Sequence, residues 1–248
     1  MVVDNSSTDG TVARAREVAD PVIESGGNRG FSHGNNLGLA AVDTEYVAFV
    51  NPDVTVSGSD WHASLEETIE RGGGLAAPQL LNPDGTEQAN ARGIPYLSAK
   101  VRNRAKPESE KGDEYARTGL AVPTYIAWAM GAVVAGRTDA VRALGGWDDS
   151  YFLYYEDHEF GLRARREGMA VALDPRVRWL HDWQRATTGP ALWAWKAELN
   201  SMRTFYSQFP QLFRRRYGAG RRDATLDRAG LARLTDHLWK PVGPAASR

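Results

Sequence analysis

The chain has 248 residues, of which 42% are hydrophobic and 25% charged, a composition that suits one compact globular domain with a sizeable core. It contains no cysteine, which excludes disulfides and thiolate metal sites, and no apolar run reaches the length that spans a bilayer. The formal net charge of −1 hides a basic end, because residues 203–248 carry ten Lys and Arg against three Asp and Glu.

Strands and helices alternate along most of the chain. Apolar runs and turn residues predict strands at residues 1–3, 21–23, 45–50, 75–80, 131–135 and 169–173. Helical periodicity and capping residues predict helices at residues 11–19, 61–71, 138–145, 156–167 and 192–209, the last of them long and amphipathic. Residues 86–124 show weak periodicity. The alternation predicts an α/β domain with a mostly parallel central sheet.

Polar clusters follow two of the predicted strands. Asp4 and Asn5 come after the first strand, and Asn51-Pro52-Asp53 follows the strand at 45–50. Ligands of such sheets bind at the carboxyl ends of the strands. Asp53 is therefore either a divalent-metal ligand that meets a diphosphate or part of an ordinary Asn-Pro-Asp turn.

Three acidic or imidazole groups in the second half of the chain are further candidates. Glu156 and Asp157 open a predicted helix, where a carboxylate either caps the helix or accepts a proton from an attacking hydroxyl. His181 follows a strand-like apolar run and is either a metal ligand or a packed core histidine.

Residues 28–38 are rich in asparagine and glycine, which suits hydrogen bonds to a base and a ribose. The segment lacks the lysine of a P-loop and is not a G-x-G-x-x-G turn after a strand, so neither a P-loop ATPase nor a Rossmann dehydrogenase is supported. The basic end predicts contact with an anionic membrane or nucleic acid, or else a solvated, arginine-rich helix.

The motifs gain specificity from their order and spacing. They are V-V-D-N-S-S-T-D-G at 2–10, N-R-G-F-S-H-G-N-N at 28–36, N-P-D at 51–53, W-A-M-G-A at 128–132, G-G-W-D at 145–148, F-L-Y-Y-E-D-H-E-F at 152–160 and His181. Over residues 2 to about 190 this series resembles the family-two glycosyltransferases with the GT-A fold, and most of all their rhamnosyltransferase-like branch.

The resemblance implies a GT-A catalytic domain over residues 1–190, followed by an amphipathic helix and a basic, helical C-terminal tail over 191–248. It implies that Asp4 contacts the nucleobase of a dTDP- or UDP-linked sugar, with help from Asn28 and Asn35.

The metal site implied by the resemblance uses Asp53 and His181 to bind Mg²⁺ or Mn²⁺, which neutralises the departing diphosphate. Asn51 stands where the family's D-x-D motif has its first Asp, so this chain has one carboxylate fewer to offer the metal and the donor.

The resemblance also implies a single inverting displacement with Asp157 as general base and Glu156 as a supporting group. Trp128 and Gly131 would lie on the acceptor side, facing a glycan or lipid-linked acceptor. The implied location is cytoplasmic, with the basic tail on the inner face of the cell membrane and no nucleic acid as partner.

One departure from the family concerns the beginning of the chain. The family has a strand and a helix before the position of Val2, and nothing here matches them. Loss of that strand would expose the edges of both neighbouring strands. Either the true start lies upstream of Met1, or the chain is a damaged or partner-dependent form. The alternative hypothesis to an active enzyme is an inactive homologue that serves as a binding or scaffold subunit. A nucleotidyltransferase is less favoured, because the glycine-rich pyrophosphate loop it needs is absent.

Overall fold

The computed structural model describes residues 1–103, 106, 112–183, 192–213 and 228–243. Its helices are α1 Thr11–Val18, α2 Phe31–Ala41, α3 Trp61–Gly72, α4 Leu97–Asn103, α5 Thr138–Ala143, α6 Glu156–Arg166, α7 Leu192–Gln208 and α8 Arg228–Thr235. Its strands are β1 Val2–Asp4, β2 Val22–Glu24, β3 Tyr46–Val50, β4 Val54–Thr55, β5 Gly74–Leu81, β6 Ala91–Arg92, β7 Ala116–Arg117, β8 Thr124–Tyr125, β9 Trp128–Ala129, β10 Val133–Arg137 and β11 Ala170–His181.

A six-stranded sheet forms the centre of the molecule, in the order β3-β10-β5-β11-β4, with β8 also paired to β11. The β5–β11 pair is parallel, whereas β10 runs antiparallel to both β3 and β5. The sheet is thus more mixed than the alternation of strands and helices alone predicts. Within the described residues β1 pairs only with β2, and β3 pairs only with β10. The other edge of β1 and the other edge of β3 therefore have no strand partner there.

The long strand β11 joins what the sequence predicts as two separate apolar runs. Its pairing with β5 shifts register between Asp174 and Arg178, around Pro175. Asp174 is fully buried there, and its carboxylate accepts hydrogen bonds from Thr68 Oγ1 (2.8 Å) and from the Arg176 guanidinium (2.8 Å). The buried carboxylate is thus satisfied at the irregularity. Beyond the proline the strand continues to His181.

The C-terminal helices pack on the same body as the sheet. Phe205 of α7 and Phe209, which follows the helix, are buried in one cluster with Tyr151 and Leu162, whereas Leu192 at the start of α7 is 76% exposed. The amphipathic helix predicted at 192–209 is confirmed, and it is its C-terminal half that is buried.

Further contacts hold α8 and the weakly periodic region against the sheet. Arg165 of α6 donates to the carbonyl oxygens of Ile126 (2.9 Å) and Leu234 (2.8 Å), which anchors α8. Residues 86–124, which sequence periodicity does not assign, contribute α4 and the strands β6 and β7, which form a small antiparallel sheet with β9. Among the described helices, none has the length and apolar character needed to cross a membrane.

Candidate active site

The pairing of β4 with β11 brings Asp53 and His181 together. His181 lies opposite Val54 in this pairing, and the Asp182 amide donates to the Asp53 carbonyl oxygen at 3.0 Å. His181 Nε2 then lies 3.5 Å from Asp53 Oδ1. Both atoms are buried and neither has a hydrogen-bond partner among the described residues. If both atoms are acceptors, they lack the donor or cation that buried acceptors need.

His181 is held as a neutral imidazole. Its ring is 2% exposed, and its Nδ1 lies 2.8 Å from Gln88 Oε1. Burial lowers the pKa of His181, and the nearby charges of Asp53 and Asp182 oppose that shift only in part. A neutral imidazole is the form that binds a metal ion. Within the described residues no cluster of three or more His, Asp or Glu side chains surrounds this pair.

Asp157 lies in the first turn of α6 and contacts the segment that leads into β10. Its Oδ2 accepts from the Gly131 amide at 3.2 Å, and its Oδ1 accepts from the His158 amide at 2.8 Å. The preceding residues Tyr154 and Tyr155 both have positive φ, 68° and 69°, a conformation that side-chain-bearing residues adopt rarely. The predicted base and the predicted acceptor-side glycine are therefore in direct contact.

Glu156 and Asp157 differ in their proton affinity. Burial, reinforced by the neighbouring charge of Asp157, raises the pKa of Glu156 to about 8. Its Oε2 is buried without a partner among the described residues. Burial opposes ionisation of Asp157 too, but the interactions with His158 and Gly131 hold the pKa of its carboxyl below the usual range. At neutral pH the pair is thus a protonated Glu156 beside an ionised Asp157.

His158 connects Asp157 to residues that sequence analysis missed. Its Nδ1 lies 2.6 Å from Asp157 Oδ1 and its Nε2 lies 2.9 Å from Lys100 Nζ on α4. Burial, together with the charge of Lys100, lowers the pKa of His158 to about 4. The ring also stacks on Trp128, with centroids 3.6 Å apart. The position of His158 beside Asp157 was a signal for its role, whereas Lys100 falls in the weakly periodic region.

Trp128 reaches the site only indirectly. It is 4% exposed, and its Nε1 donates to the Gly93 carbonyl oxygen at 2.9 Å. Since its face covers the His158 ring, any influence on an acceptor passes through His158 and Asp157.

The asparagine-rich segment lines a cleft of about 480 Å³. The residues around this cleft are Asn5, Asn28, Gly30, Phe31, Phe152, Leu153 and Trp193. Sequence analysis singled out Asn5 and Asn28 among them. The other cleft residues come from separate parts of the chain that the fold brings together.

The predicted donor residues have local hydrogen-bonding tasks. Asn28 Oδ1 accepts from Asn5 Nδ2 (3.0 Å) and from the Gly30 amide (3.1 Å). Asp4 is 5% exposed, lies outside the cleft lining and accepts from the Ser7 amide at 3.0 Å. Asn35 Nδ2 donates to the Phe31 carbonyl oxygen within α2 (3.0 Å). These contacts shape the turns after β1 and before α2.

Comparison with known proteins places the chain in a family. Residues 1–128 match the family described as Glycosyl transferase family 2, so the chain belongs to glycosyltransferase family 2. It is 27% identical over 197 residues to a protein named Low-salt glycan biosynthesis hexosyltransferase Agl10 from Haloferax volcanii, covering 73% of this chain and 58% of that protein. It is 28% identical over 201 residues to the N-acetylglucosaminyl-diphospho-decaprenol L-rhamnosyltransferase of Mycobacterium tuberculosis, covering 73% of this chain and 65% of that protein. The predicted rhamnosyltransferase-like branch is thus confirmed.

The fold has solved counterparts. The mannosyltransferase PcManGT from Pyrobaculum calidifontis, solved with GDP-Man and Mn²⁺, superposes with a TM-score of 0.51 at 17% identity. The match covers 85% of this chain and 53% of that one. The GT-A fold predicted from the motifs is confirmed. The chain spans less than two thirds of the length of the two curated relatives.

Proposed function

We propose that the chain is a metal-dependent, inverting glycosyltransferase that uses a dTDP- or UDP-linked hexose, with rhamnose as the first sugar to test. Two hydrogen bonds made by neighbouring residues before β10 carry the proposal. The Asn51 amide donates to the Ala132 carbonyl oxygen at 2.8 Å, and the adjacent Gly131 amide donates to Asp157. The segment that leads into β10 therefore links the turn that carries Asp53 to the predicted base, which is the proximity that a donor and an acceptor need.

The metal would be held by Asp53 Oδ1 and His181 Nε2. These two buried atoms face each other without another partner in the described part of the chain, which fits a shared divalent cation. Bound Mg²⁺ or Mn²⁺ supplies positive charge that stabilises the departing diphosphate. The Mn²⁺ bound with GDP-Man in the Pyrobaculum enzyme supports a divalent ion in this fold.

Asp157 would act as the general base. Its side chain is 18% exposed and its pKa lies below the usual range, so it is ionised when an acceptor binds. The acceptor oxygen forms its bond to the anomeric carbon while the bond from that carbon to the diphosphate breaks. The hydroxyl proton passes to Asp157, and one displacement inverts the anomeric centre. Glu156 next to it, buried and protonated, would act as a supporting group.

The names of the relatives support the proposed acceptor class. The protein from Mycobacterium tuberculosis is named for a sugar linked through a diphosphate to decaprenol, which favours a glycan or lipid-linked acceptor here. An enzyme with such an acceptor works at a membrane, and we place it on the cytoplasmic face with the basic end as contact. Residues 214–227, which hold five of the ten Lys and Arg of that end, lie outside the described residues.

Incubation of the protein with dTDP- and UDP-sugars plus Mn²⁺ tests the proposal. We expect hydrolysis or transfer with at least one donor, and a loss of about 10²- to 10⁴-fold in Asp157→Asn. Asp149→Asn, at an exposed carboxylate that contacts Asn36 and His33, is the matched control. Full activity of Asp157→Asn would refute the assignment of the base.

A further inference from the structure

The turn between β5 and β6 carries a directional series of hydrogen bonds that ends at His181. It begins at Asp84, whose Oδ1 accepts from the Thr86 hydroxyl at 2.6 Å and from the Thr86 amide at 3.0 Å. These hydrogen bonds lower the pKa of Asp84, so the group is an ionised carboxylate that can only accept. The single hydroxyl proton of Thr86 is therefore directed at Asp84.

This first bond decides the orientation of Asn82. Thr86 Oγ1 lies 2.9 Å from Asn82 Nδ2 and, having given its proton to Asp84, it accepts there. The amide group of Asn82 is the donor, so its Oδ1 points the other way. That oxygen lies 3.0 Å from Gln88 Nε2.

The orientation of Gln88 is fixed twice. Its Nε2 donates to Asn82 Oδ1 and also to the His181 carbonyl oxygen, at 2.9 Å. Both partners are acceptors, and a rotated amide would place its oxygen against the two of them. The Gln88 side chain is also buried, so water does not replace these bonds.

The consequence for His181 concerns its tautomer. Gln88 Oε1 lies 2.8 Å from His181 Nδ1, and an oxygen acceptor there needs the proton on Nδ1. A neutral imidazole protonated at Nδ1 has its lone pair on Nε2. That nitrogen lies 3.5 Å from Asp53 Oδ1, so two acceptor atoms lie side by side at a spacing that fits two neighbouring ligands of one divalent cation.

We propose that the turn at residues 82–88 sets the tautomer of His181, with Gln88 as the positioning residue that opens Nε2 to a divalent cation. The inference rests on the metal site of the proposed function. It assigns a positioning role to the N-P-D-G-T-E-Q segment, which otherwise has the sequence of an ordinary turn. A group that orients a metal-binding histidine through its second nitrogen commonly changes metal affinity about 10- to 100-fold.

The first experiment observes the tautomer without metal. Long-range ¹H–¹⁵N spectra of metal-free protein at pH 7.5 should show His181 with a protonated Nδ1 and a bare Nε2. In Gln88→Leu we expect this pattern to be lost or mixed. Gln88→Glu keeps an acceptor opposite Nδ1 and should keep the proton there, although its second oxygen would face the Asn82 Oδ1 and His181 carbonyl oxygens and lower stability. A wild-type ring protonated at Nε2, alone or at both nitrogens, would overturn the inference whatever the variants do.

The second experiment measures the affinity for Mn²⁺ alone by calorimetry. Gln88→Leu should bind Mn²⁺ about 10- to 100-fold more weakly than wild type. Gln208→Leu is the matched control, since Gln208 also uses both amide ends, to Tyr151 and Asp148, away from His181.

The outcomes separate the inference from the proposed function. If wild type and Gln88→Leu bind Mn²⁺ equally, the positioning role is refuted while the metal site stands. If wild type binds no Mn²⁺ but the tautomer changes in Gln88→Leu as expected, the tautomer assignment is supported and the metal in the proposed function is refuted.

Discussion

The imidazole of His158 bridges Asp157 and Lys100: Nδ1 lies 2.6 Å from the Asp157 carboxylate and Nε2 lies 2.9 Å from the Lys100 ammonium. Lys100 can only donate, so it fixes Nε2 as the acceptor and Nδ1–H as the donor to Asp157. The lysine of one helix thereby orients the histidine of another, and the histidine supports the ionised form of the predicted base.

This arrangement predicts the effect of His158→Phe. Phenylalanine keeps a ring against Trp128 but removes the hydrogen bond to Asp157, so the pKa of that carboxyl should rise. The acidic limb of kcat/KM should move to higher pH by about one unit, with slower turnover at pH 6. His62→Phe, at an exposed histidine on α3, is the control. An unchanged acidic limb with normal folding would contradict the bridging role.

Glu156 predicts a pH dependence of stability. Its pKa is raised to about 8, so the folded state keeps a proton that the unfolded chain releases above its ordinary value. The resulting stabilisation is complete below that ordinary value and disappears as pH rises through 8. Between pH 5 and 8.5 the free energy of unfolding of wild type should fall by roughly 3 kcal/mol relative to Glu156→Gln. Denaturant titrations of both proteins measure this difference, with exposed Glu167→Gln as control; parallel curves would argue against it.

Asn35 and Asn36 are adjacent but predict different mutant behaviour. Asn36 Oδ1 accepts from the Trp147 amide and its Nδ2 donates to the Trp147 carbonyl oxygen, both at 2.8 Å. Asn36→Ala should cost about 1–3 kcal/mol of unfolding free energy, because it leaves these backbone groups without a partner. Asn35→Ala should change stability by less than about 0.5 kcal/mol and, as a predicted donor contact, raise the KM for the donor. Equal melting temperatures for the two variants would be inconsistent with this division.

Gly30 lies where the loop before α2 approaches the loop that contains Phe152, and we expect activity to be sensitive to a side chain there. Its φ is 96°, and a Cβ there would overlap the backbone of Phe152, whose carbonyl oxygen accepts from the Phe31 amide at 3.0 Å. Gly30→Ala should therefore displace the loop that leads to Asp157 and lower kcat at least about tenfold, with a cost in stability of about 1–3 kcal/mol. Gly27→Ala, where an added Cβ meets no atom within 4 Å, is the matched control. Normal activity in Gly30→Ala would disprove the coupling of the two loops.

The basic end predicts salt-sensitive membrane binding. Deleting it would also remove α8, which Arg165 anchors to the body, so charge substitutions are the cleaner test. We expect simultaneous glutamine substitution of five arginines to weaken binding to phosphatidylserine vesicles more than about tenfold at 0.1 M salt. The five are Arg214, Arg215, Arg216, Arg221 and Arg222. Substitution of Arg14 and Arg16 on α1 is the control. If the five substitutions do not change vesicle binding, the basic end is a solvated segment and not a membrane contact.

Sequence patterns located the fold and the candidate residues well because these depend on local signals. The apolar run at 45–50, the polar residues after it and the acidic start of α6 are each legible within about ten residues. The GT-A fold and the family are confirmed on that basis. The roles of Asp4, Asn28, Asn51, Trp128 and the other site residues stay predictions.

What the sequence could not predict depends on long-range pairing. Gln88 lies after a turn, and only the pairing of β11 with β5 brings His181 to it. Lys100 lies on α4, whose apolar pattern is weak, and it meets His158 across 58 positions of the chain. The antiparallel direction of β10 was equally hidden, since alternation of strands and helices carries no information on strand direction.

The distance along the chain between Asp53 and His181 also bears on how the protein is made. The two are held together by β4, a strand of two residues that pairs with the last long strand. A nascent polypeptide cannot assemble this pair until β11 has been synthesised and has joined the sheet. Uptake of a cation at this position would therefore be among the last events of biogenesis, and it would report that the whole central sheet is complete.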